Sequence, residues 1–237
     1  MTTPDAAPPA TSPRRPAALM GLFALIATAL DAVLLALALG GLGPLAAHRR
    51  ALALLAVYAV TAVTLALLRP VRAQDVVQSA RDAPLTMAAL GVIPLLIPPL
   101  AALGERLGWW PLPGGEPLRW GGVALAAAGL SLRIAAMTRL RDRFSPRLAV
   151  QRNHALETGG PYARVRHPGY LGTLLAALGA ALAFGSAAGL AGVALLAAVL
   201  GTRVRREETL LEARFGEDWR RYRDRTGAFL PRLVRPR

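Results

Sequence analysis

The sequence contains no cysteine and no lysine, and aromatic residues fill only 5% of its 237 positions. Without cysteine there is no disulfide framework, no thiolate zinc site and no thiol nucleophile, and the redox character of the compartment leaves no trace. Charge is also scarce at 18%, and all 28 basic residues are arginine, which together with heavy alanine usage reads as coding bias more than selected chemistry. What is present is apolar: 54% of the residues are hydrophobic and the mean hydropathy is +0.41. The charges crowd into short blocks and leave long apolar runs that soluble packing rarely needs, which excludes a disordered tail protein and indicates an integral membrane protein. In such a chain the net charge of +14 reflects the positive-inside rule and contact with anionic lipid head groups, not nucleic acid.

Residues 1–16, rich in Pro, Ala and Thr, read as a disordered lead-in ending at Arg14 and Arg15. The apolar run after this Arg pair is too long for a cleaved signal and lacks a small-x-small site, so a retained anchor is expected. Four runs approach the ~20 residues a helix needs to cross the hydrocarbon: Ala17–Gly43, Ala51–Leu68, Pro84–Leu103 and Leu118–Leu140. A fifth, Tyr170–Gly201, is too long for one simple crossing and should fold into a hairpin at Phe184-Gly185-Ser186. Pro94, Pro98 and Pro99 should break or kink the third run. The expected fold is an all-α integral membrane protein with about four spanning helices, a C-terminal helical hairpin and an interfacial amphipathic helix. Its N-terminal transmembrane helices span residues 17–140, and its functional region 141–237.

Arginine placement sets the orientation. With a cytoplasmic N-terminus, Arg14, Arg15, Arg69, Arg72, Arg81, the arginines from Arg139 to Arg166 and those from Arg203 onward all fall inside, while only Arg49, Arg50, Arg106 and Arg119 fall outside. Arg133, within the fourth run, is expected to snorkel towards the interface. Both termini and the chemistry are therefore expected on the cytoplasmic face of a bacterial cell membrane.

Two polar blocks lie on that face. The first contains Gln151, then His154-Ala155-Leu156-Glu157, then Gly159-Gly160-Pro161-Tyr162 and Arg166-His167-Pro168-Gly169-Tyr170-Leu171-Gly172. Its prolines fix the backbone and its glycines permit close ligand approach, although a capped, Arg-rich loop at the head groups would look similar. The second begins Arg203-Val204-Arg205-Arg206-Glu207-Glu208. Arg203 and Glu207 share one helical face and either pair or grip a ligand together. Leu211, Phe215, Trp219 and Tyr222 then recur at helical spacing, an amphipathic stripe that reads as packing more than cofactor contact.

The ordered set Gly160-Pro161-Tyr162, Arg166-His167-Pro168-x-Tyr170-x-Gly172, Arg203-x-x-x-Glu207-Glu208-x-x-Leu211, Phe215-Gly216 and Pro231 resembles the isoprenylcysteine carboxyl methyltransferase family. The resemblance covers roughly residues 139–232. It implies a membrane-embedded methyltransferase using S-adenosyl-L-methionine and a lipophilic acceptor that arrives from the bilayer, most simply a carboxylate such as an isoprenylcysteine-type C-terminus. It also implies residue roles: Gln151, His154, Ala155, Leu156, Glu157, Tyr162, His167, Pro168, Gly169, Tyr170 and Glu207 at the cofactor, and Arg203 at the substrate. No metal is implied.

The residue types agree with such a cofactor, which carries an ammonium, a carboxylate, an adenine and a sulfonium. A phospholipid amine acceptor is the alternative within methyl transfer. An NADPH-dependent membrane reductase is another, although no phosphate-cradling Gly motif is present. A transporter or assembly factor is the non-enzymatic alternative, and the chain shows no inverted duplication to support it. Asp31, inside the first run, is an intramembrane ionisable group and so a candidate by default, for a substrate or a helix-packing contact. His48, with no partner at metal-ligand spacing, reads as a solvated turn residue.

Overall fold

The computed structural model describes residues 15–67, 76–80, 84–140, 148–151 and 156–232. The helices are α1 (Arg15–Leu39), the short α2 (Leu42–Ala47), α3 (Arg49–Leu67), α4 (Pro84–Leu107), α5 (Gly115–Leu140), α6 (Pro168–Ala183), α7 (Ala187–Phe215) and α8 (Glu217–Arg225). Five of them, α1, α3, α4, α5 and α7, are long and apolar enough to cross a membrane, so the all-α membrane fold stands. Outside the helices, β1 (Val76–Ala80) pairs antiparallel with β2 (Leu148–Gln151), a short ribbon between two polar linkers.

The ends of the helices identify one another. Arg106, late in α4, donates to the carbonyl of Ala38 at the end of α1 at 3.4 Å. Arg50, opening α3, donates to Glu105 at 2.8 Å and to the carbonyl of Ala183, the last residue of α6, at 3.2 Å. Arg119, opening α5, lies 3.5 Å from Glu105 and 3.4 Å from Glu116. Successive long helices therefore run up and down, and the start of α1 and the last turns of α7 share the opposite end. His48 belongs to this network and is no solvated turn residue: its Nε2 meets Glu105 at 3.1 Å and its Nδ1 accepts from the backbone N–H of Ala51 at 3.2 Å.

The hairpin turns where Gly lowers helix propensity. Gly185 sits at φ +61°, its carbonyl accepts from Leu112, and the Ser186 hydroxyl accepts from the Ala188 N–H to cap α7. The prolines of α4 do not end it: one helix runs from Pro84 to Leu107 through all three. Asp31 is buried, at 7% exposure, and its Oδ1 has no hydrogen-bond partner among the described residues.

The closest helix pair is α5 against α6. A Cβ added at Gly122 or Gly129 of α5 would lie under 3.0 Å from backbone of α6, and one at Gly172 or Gly179 of α6 under 3.0 Å from backbone of α5. Lipid tails are as apolar as leucine, so helices associate in a membrane through such small-residue contacts, where dispersion between backbones replaces the hydrophobic effect. This contact fixes α6, whose N-terminus carries the His167 motif. Gly179→Ala should therefore destabilise the detergent-solubilised protein by about 1–3 kcal/mol through overpacking. Gly121→Ala, where a Cβ meets nothing within 4 Å, should not; thermal unfolding of the two variants side by side checks this.

Candidate active site

The site forms at the end of the bundle where α7 emerges, and it begins with a short helix. At ~1.5 Å per residue the 16 residues of α6 reach only ~24 Å, so its first turn lies below the level that a full-length span would attain. Pro168 occupies the first helical turn, where its missing N–H costs nothing. Ahead of it a 3-10 turn, Gly160–Ala163, opens with Gly160 at φ +57°, a conformation that glycine adopts without strain.

The segment preceding α6 is held by the chain beyond α8. The Arg166 N–H donates to the carbonyl of Gly227 at 2.8 Å and the His167 N–H to that of Ala228 at 3.1 Å. Arg166 Nη1 donates to the carbonyls of Arg223 and Thr226, and its guanidinium stands 6.0 Å from the Trp219 ring centroid. Tyr222 donates to the carbonyl of Tyr162 at 2.7 Å. Trp219 and Tyr222, 1% and 3% exposed, thus spend the apolar face of α8 on the protein itself, as the packing reading of that stripe required.

The paired acids divide their work because adjacent helical residues point about 100° apart. Glu208 Oε1 accepts from Arg166 Nε at 2.8 Å and lies 3.1 Å from His167 Nε2. Glu207 Oε2 accepts from the Tyr170 hydroxyl at 2.8 Å, and that hydroxyl in turn accepts from Arg203 Nε at 2.7 Å. Tyr170 so bridges the two residues that share a face of α7. Among the described residues no other side chain bonds Glu207. His167 is 4% exposed, its ring stacked on Tyr170 at 5.7 Å between centroids and tilted against Phe229 at 6.3 Å.

Burial, with the Glu207 charge next, pushes the Tyr162 hydroxyl well above the ordinary tyrosine range, so it stays a donor near that carboxylate. Arg133 does not snorkel. Its Nη1 donates to Thr173 Oγ1 at 2.7 Å and to the Gly169 carbonyl at 3.4 Å, within electrostatic reach of Tyr170 and Arg203. Two partners on α6 replace the water that a snorkelling side chain would seek. Two cations thus converge on Tyr170. Arg133 went unread as a site residue because a single arginine near a helix end carries no motif.

The other expected positions are spread more widely. Glu157 Oε1 accepts from the Gly159 N–H at 2.9 Å and from Arg139 Nε at 3.2 Å, tying the linker to the end of α5. Leu156 borders an open groove of about 770 Å³ shared with Thr158, Asp218, Arg221, Tyr222, Asp224 and Arg225. That groove does not include Glu207 or Arg203. Pro168 and Gly169 open α6 beside the two arginines. Gln151 is placed in β2, but its side chain, like His154 and Ala155, lies outside the described residues.

A family model described as isoprenylcysteine carboxyl methyltransferase (ICMT) matches residues 122–213. Over 109 residues the chain is 35% identical to a protein of the fission yeast Schizosaccharomyces pombe (strain 972 / ATCC 24843) named protein-S-isoprenylcysteine O-methyltransferase. That stretch is 44% of this chain and 45% of the relative, so the chain spans under half the length of the curated relative that it matches. The matched region holds the α5–α6 contact, both arginines, Tyr170 and the paired acids, and over it the chain is similar to the isoprenylcysteine carboxyl methyltransferase family.

Proposed function

We propose that this protein is a membrane methyltransferase that esterifies the carboxylate of a lipophilic acceptor, of the isoprenylcysteine type, with the methyl group of S-adenosyl-L-methionine. The observation that carries the reading is the chain Arg203–Tyr170–Glu207, in which a buried cation and a carboxylate are held by the same hydroxyl. The donor set suits the cofactor. Glu207 offers an acceptor for an ammonium or a hydroxyl, Tyr162 and Tyr170 offer donors and aromatic faces, and Gly169 permits close approach of backbone. When bound, the cofactor supplies a methyl group made electrophilic by a positively charged sulfur.

Arg203 and Arg133 supply the acceptor side. An ionised carboxylate attacks without losing a proton, so no general base is required and the chain's task is to orient the carboxylate and exclude water. Two arginines favour a carboxylate and disfavour a phospholipid amine, which must approach as a neutral base. Under the positive-inside rule the Arg-rich end faces the cytoplasm, and the acceptor reaches it from the bilayer without leaving lipid. The functional unit reaches from 141 to 237 and draws Arg133 in from α5.

Titration of S-adenosylhomocysteine into the detergent-purified protein tests the cofactor reading, with NADPH as a control. Glu207→Ala should lose binding by about tenfold or more while the protein stays folded. Glu208→Ala should instead lower the thermal midpoint, by about 1–3 kcal/mol of stability, since it strips a partner from buried Arg166 and His167. Binding of NADPH in place of S-adenosylhomocysteine, or unchanged affinity in Glu207→Ala, would overturn the assignment. Arg203→Ala should lower turnover of a farnesylated N-acetylcysteine far more than it weakens S-adenosylhomocysteine; equal losses would remove Arg203 from the acceptor.

A further inference from the structure

Three of the four tryptophans gather at the end of the bundle where Glu105 sits, away from the candidate active site. Trp109 and Trp110 follow α4 directly, and Trp120 lies in the second turn of α5. All three are exposed, Trp110 at 72%, whereas the fourth, Trp219, is buried under α8. Among the described residues no acceptor takes any of the three indole N–H groups. Their height is set by the helices that carry them: α4 and α5 are both long and apolar enough to cross a membrane, so the rings fall where these spans leave the hydrocarbon. A large apolar ring with one N–H suits that boundary, because the ring stays among acyl chains while the N–H meets the ester carbonyls above them.

The loop is built to hold these rings outward. Trp110 has φ +43°, the one positive φ outside glycine among the described residues, and a bulky side chain adopts it only when the surroundings impose it. The surroundings here are hydrogen bonds to the hairpin turn. Ala187 donates its N–H to the Trp110 carbonyl at 3.0 Å, the Ser186 hydroxyl donates to the Trp109 carbonyl at 2.8 Å, and the Leu112 N–H donates to the Gly185 carbonyl at 2.7 Å. A glycine would satisfy the backbone at position 110 without strain, yet the chain carries an indole there and exposes it. The same bonds tie the tryptophan loop to the end of α6 at Ala183, so α6 hangs from that loop.

We propose that Trp109, Trp110 and Trp120 anchor this end of the bundle in the ester-carbonyl layer of the phospholipids, and that through the hairpin they set the depth in the bilayer at which His167 and Tyr170 stand. The proposal is independent of the reaction assigned to the site. Hung from an anchored loop, the ~24 Å of α6 stops short of the far side of a hydrocarbon layer ~30 Å thick. The entrance to α6 therefore lies within reach of acyl chains, and the tryptophans decide by how much.

The test uses the full chain in phosphatidylcholine vesicles whose acyl chains carry bromine, a contact quencher of indole fluorescence, either near the head group or near the bilayer centre. The emission of each ring is the difference between the parent and Trp109→Phe, Trp110→Phe or Trp120→Phe. Each difference should be quenched more by the shallow bromines than by the deep ones, and little by aqueous acrylamide. Stronger quenching by the deep bromines, or quenching by acrylamide alone, would overturn the anchor. Protection from both would place the rings against a protein partner and overturn it as well. A second measurement reads depth. Because the chain has no cysteine, Arg164→Cys, at an exposed position ahead of α6, carries a single nitroxide. Replacing all three tryptophans by alanine should shift the ratio of that label's accessibility to oxygen, which concentrates in hydrocarbon, and to an aqueous nickel complex, with the thermal midpoint in detergent unchanged. An unchanged ratio would overturn the control of depth, and a lowered midpoint would assign the rings to packing instead of lipid.

Discussion

Everything at the active end depends on two helices touching backbone to backbone. In hydrocarbon no water is released when apolar helices meet, so α5 and α6 need a surface that lets dispersion act at the shortest range, and Gly122, Gly129, Gly172 and Gly179 provide it. The seam sets the height and rotation of α6, and through them the position of His167 and Tyr170 opposite α7. It also decides what Arg133 can do. One turn beyond Gly129, that side chain meets the carbonyl of Gly169 and the hydroxyl of Thr173 instead of water. A larger residue at the glycines would move helix axes apart and withdraw a cation from the site.

The two ends of the bundle spend their carboxylates differently. At the loop end Glu105 gathers His48, Arg50 and Arg119, locking the starts of α3 and α5 to the finish of α4. At the opposite end Glu208 does the equivalent with Arg166 and His167, whereas its neighbour Glu207 meets, among the described residues, a single phenol. The acid with more partners holds structure, and the proposed cofactor contact falls on the other. The contrast arises from one residue of helical rotation between Glu207 and Glu208.

Much of this was legible in the sequence, because a bilayer demands long apolar runs and the runs were there. The hairpin at Phe184-Gly185-Ser186 could be read for the same reason, as could the burial of Trp219 and Tyr222. The length of α7 could not: hydropathy ends near Gly201, but Arg and Glu are good helix formers, and the helix continues to Phe215 until Gly216, at φ +52°, stops it. Of the two outcomes open to the prolines, a break and a kink, the break does not occur: α4 runs on through Pro94, Pro98 and Pro99, as a helix packed among neighbours can. Motif spacing brought Tyr170, Arg203, Glu207 and Glu208 together, but not which acid each basic group would choose. His48 and Glu105 lie 57 residues apart in the chain and carry no shared pattern, so their contact belongs to tertiary structure alone. The β1–β2 ribbon is a pairing of the same kind, between two linkers that read as polar loops.

The strap beyond α8 has a bearing on how the protein is made. The backbone of Arg166 and His167 is completed by Gly227 and Ala228, and the Arg166 side chain by carbonyls at Arg223 and Thr226. Two of these bonds join residues 57 and 60 positions apart in the chain. The entrance to α6 is therefore not completed by its own neighbourhood, and it acquires its full set of partners only once the segment after α8 has been made and has folded back against it.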